Sequence, residues 1–127
     1  MGSSDGGQKM RRGSFYTHPD YINGNYGHIG DVYVVFNYDS YGRLFKHHFI
    51  LMDDKDWDEY KVYEWTVNGL KMYAASNVDF TKEEWIGRRE VSLVYRYALL
   101  VSSGREFDKF SFNCNDWTKK MKKLLKY

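Results

Sequence analysis

The hydrophobic rhythm of the chain changes partway along. Between residues 31 and 74 apolar and aromatic residues come in short runs broken by turn residues, whereas from Val91 onward they return at helical spacing. Residues 31–37 carry Val32-Tyr33-Val34-Val35-Phe36 and predict a strand. Asp39-Ser40-Tyr41-Gly42 supplies a turn and residues 44–52 a second strand, so the two predict a hairpin. Asp53-Asp54-Lys55-Asp56 reads as a polar loop, and residues 61–67 as a third strand. Asn68-Gly69 predicts a tight turn that needs positive φ, leading into a fourth short strand over residues 70–74.

At Thr81 the pattern turns helical. Thr81-Lys82-Glu83-Glu84 has the capping-box spacing, a hydroxyl followed three residues later by a carboxylate. Beyond it Val91, Val94, Tyr95, Ala98 and Leu99 recur at helical spacing, with Gly104 as the stop. The valines make a strand the alternative for residues 91–101, but the periodicity favours helix. A last helix runs from Cys114 to about Lys126, with Trp117, Met121, Leu124 and Leu125 on one face. Lys119, Lys120, Lys122, Lys123 and Lys126 fill the other. Residues 1–13, Gly/Ser-rich with Lys9, Arg11 and Arg12, read as a flexible lead-in, and residues 14–127 as one domain. His18-Pro19-Asp20 and Asn23-Gly24 mark turns before the first confident strand. The fold class is α+β, an antiparallel sheet of about four to six strands packed against two or three helices.

Composition narrows the function classes. A chain of 127 residues suits a single domain, and twelve tyrosines suit strands with one wet face. No apolar run approaches the roughly 20 residues of a membrane span, and no signal-peptide pattern opens the chain. One cysteine excludes an internal disulfide and points to a reducing, cytoplasmic compartment. A net charge of +2 is too small to imply nucleic acid by itself. The lysine face of the last helix is either a solvated surface or a contact with anionic lipid, which would place the chain at the periphery of a membrane. No metal or cofactor is expected. His47 and His48 send their rings to opposite faces of a strand, no second cysteine completes a zinc set, and there is no Gly-rich phosphate loop.

The lone cysteine is the candidate for chemistry. Cys114 opens the last helix, where unpaired N–H groups and the helix dipole favour thiolate. A free cysteine is also among the most often buried and inert residues, so a neighbouring base is required. His18 and His28 lie in turn-rich segments and read as surface residues. His47 and His48 sit inside a strand, between Phe45 and Phe49, and one of them must face the interior or a helix packed on the sheet. Periodicity does not choose between them. Glu64 is the only carboxylate in the apolar run of the next strand and is the candidate to orient the imidazole, with Tyr63 beside it.

Taken together, three ordered blocks resemble the lecithin:retinol acyltransferase-like family, the H-box/NC group of the NlpC-type papain-like hydrolases. They are Gly30-Asp31-Val32-Tyr33-Val34, His48-Phe49-Ile50-Leu51-Met52 and Asn113-Cys114-Asn115-Asp116-Trp117. The helix with Val94, Arg96 and Ala98 is similar to the Val/Arg/Ala-rich helix that precedes the family's Asn-Cys box. The likeness covers most of the chain from Gly30. It implies a permuted papain-like fold, with Cys114 as nucleophile and His48 as base, His47 being the alternative. The third residue, often histidine in the family, falls at Glu64 or Tyr63. Asn115-Asp116 stands where the family has Glu-His.

That resemblance implies a thiol-dependent acyl hydrolase or acyltransferase, forming a thioester from an acyl lipid. The picornaviral 2A-type H-box/NC proteins are similar in size, and they imply a second reading: a non-enzymatic module that binds host protein or RNA. Cysteine peptidase activity by the same dyad is a third.

Overall fold

The computed structural model describes residues 15–17, 28–38, 46–54 and 58–126. The expected lead-in over residues 1–13, the turns at His18-Pro19-Asp20, Asn23-Gly24 and Asp39-Ser40-Tyr41-Gly42, and Lys55-Asp56 lie outside them. Among the described residues the elements are β1 (Phe15–Thr17), β2 (Ile29–Tyr38), β3 (Lys46–Asp54), β4 (Glu59–Thr66), β5 (Gly69–Ala75), β6 (Thr81–Glu90), α1 (Val91–Ser102) and α2 (Cys114–Leu125). The sheet order is β1-β5-β4-β3-β2-β6. Strands β2 to β6 pair antiparallel, and the short β1 adds a parallel edge on β5. The architecture is α+β, as expected.

The strands read as near-continuous apolar runs because both faces of the sheet are covered. One face carries Val32, Val34, Ile50, Met52, Tyr63, Trp65, Leu70 and Met72. Against it pack Val91, Val94 and Ala98 of α1 and Trp117, Met121 and Leu125 of α2. Trp117 is fully buried, stacks on Trp65 at 6.5 Å and donates to Ser102 Oγ at 2.9 Å. Burying such a side chain is worth about 3 kcal/mol. The opposite face buries Val35, Phe49, Leu51 and Val62 under Tyr33, Tyr60, Tyr73, Val78 and Phe80.

The β2–β3 hairpin forms as its sequence predicts, with Val32 opposite Met52 and Val34 opposite Ile50. Gly69 takes φ 108° at the turn into β5, again as expected. Asp53 and Asp54 belong to β3 rather than to a loop. The larger correction is at Thr81. Its Thr-x-x-Glu pattern opens no helix; Thr81–Glu90 is β6, paired along β2. A bulge with Gly87 at φ 149° bends it. Glu84 bonds Lys122 and Lys126 of α2, at 2.7 and 2.8 Å, instead of closing a cap. A free edge on β2 outweighed the local helix signal. Helix begins only at Val91, whose N–H donates to His28 O at 2.9 Å, and Gly104 follows its end at φ 71°.

No helix among the described residues is long and apolar enough to cross a membrane.

Candidate active site

The site exists because β3 and β4 part company. Their ladder runs from the Asp54–Glu59 pair to the Ile50–Tyr63 pair and stops. Beyond that point β3 stays on β2 as far as Lys46, and β4 stays on β5 as far as Thr66. His47 and His48 therefore have a strand neighbour on one side only. The first residue of α2 comes to the other side, where the His48 backbone N–H favours the Cys114 thiolate.

Entry at the strand edge decides which imidazole meets the thiol. His48 alternates with Ile50 and Met52 on the helix-covered face, where its Nε2 bonds Glu83 Oε1 at 3.2 Å and its Nδ1 is buried without a partner. His47 alternates with Phe49 and Leu51 on the other face and stacks on the Phe49 ring at 5.5 Å. There its Nε2 lies 2.7 Å from Glu64 Oε1, and its ring is near enough to Cys114 for each to favour the other's charged form. With Nε2 on the carboxylate, Nδ1 is the nitrogen available to sulfur. The structure thus brings together Cys114, His47 and Glu64. The expectation of His48 as base fails because the thiol arrives from the edge of β3, not from above its helix-facing side. Tyr63 does not reach the imidazole either; its hydroxyl contacts Met52 Sδ at 3.8 Å on the helix side.

Electrostatics separate charge across this contact. Burial opposes a charged His47, but its hydrogen bonds to Cys114 and Glu64, together with their negative charges, push its pKa from 6.5 up to about 9. Burial likewise opposes a Cys114 thiolate. The hydrogen bond and charge of His47, with the N–H groups of His48 and Asn115, prevail and hold the thiol below its ordinary value. Both shifts favour the thiolate and imidazolium forms of the pair over thiol and neutral imidazole. His47 and Glu64 are mostly buried, at 24% and 13% exposure, which keeps the pair from being screened by water.

Asn113 sets the helix that carries the sulfur. Its Oδ1 accepts from the N–H groups of Asn115 (3.0 Å) and Asp116 (3.1 Å), and Asp116 Oδ2 accepts from the Asn113 N–H at 3.0 Å. This is a complete capping box, formed here and not at Thr81. It explains why asparagine precedes the cysteine, and it uses Asp116 structurally. Trp117 N–H bonds Asn113 O, so Cys114's own N–H is the first-turn amide left for a ligand oxygen. In front of the sulfur is a cavity of about 360 Å³, lined by Lys46, Phe107, Lys109, Asn113, Cys114 and Asn115.

A second charged cluster escaped the sequence reading. Lys61 is fully buried and bonds Asp54 Oδ2 at 3.3 Å and Glu59 Oε2. His28, expected at the surface, bonds the same Asp54 oxygen at 3.2 Å through Nδ1. His18 lies outside the described residues. Among the described residues no group of three or more His, Cys, Asp or Glu is arranged to hold a metal ion. Compared with known proteins, the chain matches no family model, no curated protein and no solved structure.

Proposed function

We propose that this chain is a thiol-dependent acyl hydrolase or acyltransferase, built on a permuted papain-like scaffold of the lecithin:retinol acyltransferase-like kind. The observation that carries the reading is the Cys114–His47–Glu64 contact at a cavity. The Cys114 thiolate attacks the carbonyl carbon of an acyl ester, and the carbonyl oxygen takes up the negative charge. The Cys114 N–H, at the positive end of α2, stabilises that oxyanion. As the tetrahedral adduct collapses, His47 gives its proton to the departing alkoxide and a thioester remains. Water, or an acceptor alcohol or amine, then loses a proton to His47 and attacks the thioester. The acid, ester or amide leaves and the thiolate returns. Glu64 keeps the imidazole oriented through both halves.

The substrate class follows from the family likeness and from the cavity. Phe107 offers an apolar wall for an acyl chain, and Lys46 and Lys109 offer cations for an anionic headgroup. Replacement of the family's Glu-His pair by Asn115-Asp116 leaves sulfur, imidazole and carboxylate in place. The test is acyl transfer from a phospholipid to Cys114, followed by intact-protein mass spectrometry and by release of fatty acid. An acyl adduct on Cys114 is expected, and Cys114→Ala lowers turnover by about three orders of magnitude or more. Absence of the adduct, together with alkylation of Cys114 no faster than that of free cysteine, sinks the reading.

A further inference from the structure

Phe110 is 89% exposed, the most exposed large apolar side chain among the described residues. The loop holds it there. Asp108 Oδ1 accepts from the N–H groups of Phe110 (2.8 Å) and Ser111 (3.0 Å). Asp108 and Phe112 exchange backbone hydrogen bonds at 3.0 and 2.9 Å, and Asn113 Nδ2 donates to Lys109 O at 3.0 Å. The ring therefore stands on a fixed turn that is tied to the residue capping the catalytic helix.

One cation lies beside it, and two more belong to the same turn or cavity. Lys109 Nζ lies 5.8 Å from the centre of the Phe110 ring, and Lys109 and Lys46 both line the Cys114 cavity. The Arg105 guanidinium stacks over Phe112 at 4.6 Å, at the base of the same turn. The acids of the segment are Asp108, which is used by the loop's own amides, and Glu106, which has its own partner. An aromatic tip with a basic rim beside a cavity mouth matches an anionic bilayer: the ring enters the boundary between headgroups and acyl chains, and the cations stay at the phosphates.

We propose that the turn bearing Lys109 and Phe110 docks the Cys114 cavity onto an anionic phospholipid surface. The inference rests on the acyl-lipid reading of that cavity, and it moves the membrane-facing surface away from the lysine face of α2, where Lys122 and Lys126 are bonded to Glu84. A single phenylalanine gives weak partitioning alone, so the cations and the ring must act together.

The full chain is sedimented with phosphatidylcholine vesicles, with and without phosphatidylserine. Binding to the phosphatidylserine vesicles is expected, weaker without the anionic lipid and weaker in high salt. Phe110→Ser lowers the partition coefficient about tenfold, from the lost burial of one ring. Lys109→Glu lowers it by about tenfold or more, through two changed charges at the surface. Phe110→Trp reports the same event as a blue shift of emission on adding anionic vesicles. Cys114→Ala still sediments while losing hydrolysis, so failure of the docking and failure of the chemistry are read separately. A chain that ignores phosphatidylserine vesicles, a Phe110→Trp emission that does not move, or binding unchanged in Phe110→Ser and Lys109→Glu overturns the proposal.

Discussion

The two ends of the β3–β4 pair each carry an ionic cluster, and the clusters lie on opposite faces of the sheet. Where the strands are paired, Asp54 and Lys61 are sealed at 0% exposure, with Glu59 and His28 alongside. Where they diverge, Cys114, His47 and Glu64 meet beside a cavity and keep some contact with solvent. A lysine shut between carboxylates ties β3 to β4 at the paired end of the ladder. A thiol beside an imidazole is shifted towards its charged form, and an opening lets a third molecule reach it. Divergence of the ladder is what separates a sealed pin from an open cluster at a cavity.

Breaking the sealed cluster has the largest expected effect. Lys61→Met strands Asp54 in the core and costs about 3–5 kcal/mol, read as a lower urea midpoint. The folded fraction keeps its Cys114 alkylation rate. Adding Asp54→Leu to Lys61→Met recovers most of the loss, because the penalty belongs to the unpaired charge.

At the open end the effect moves from stability to reactivity. His47→Ala slows iodoacetamide alkylation of Cys114 at pH 6 by about a hundredfold, whereas His48→Ala, which keeps the backbone N–H, changes it little. An equal loss in both variants would contradict the assignment of the base. Wild-type alkylation persists as the pH falls below the ordinary thiol range, since the Cys114 pKa is lowered. Turnover falls as the pH rises through about 9, where His47 loses the proton it must donate. Glu64→Gln removes one cause of that elevation, so the alkaline fall begins at lower pH and turnover drops about tenfold. The smallest effect is that of Asn113→Ala, which removes the α2 cap and costs about 1 kcal/mol by thermal or urea unfolding.

Most of the sheet was legible in the sequence because strands buried on both faces are written as apolar runs. Strand β6 was not. Thr81–Glu90 includes Lys82, Glu83, Glu84, Arg88, Arg89 and Glu90, a composition that reads as a solvated helix start and that an edge strand tolerates. Cys114 was legible from its place at the start of an amphipathic helix, and Glu64 from its isolation in an apolar run. His47 needed the register. Tyr63 pairs with Ile50, so Glu64 shares a face with the odd-numbered residues of β3; the choice of Glu64 already pointed to His47 over His48. That signal is invisible until the pairing is known. Asp54 and Lys61 were hidden because a run of acids between strands looks like a loop, and nothing local says that a distant lysine will enclose one of them.

Cys114 lies at the unpaired edge of β3, and this has a consequence for how the cluster is assembled. Imidazole and carboxylate are contributed by early strands, but sulfur is delivered by the last helix along the described chain. Before that helix docks, the thiol lacks the imidazole that lowers its pKa. Thiol, imidazole and carboxylate meet only once the last helix lies against the sheet, so the cluster is completed by the final packing contact rather than by any local segment.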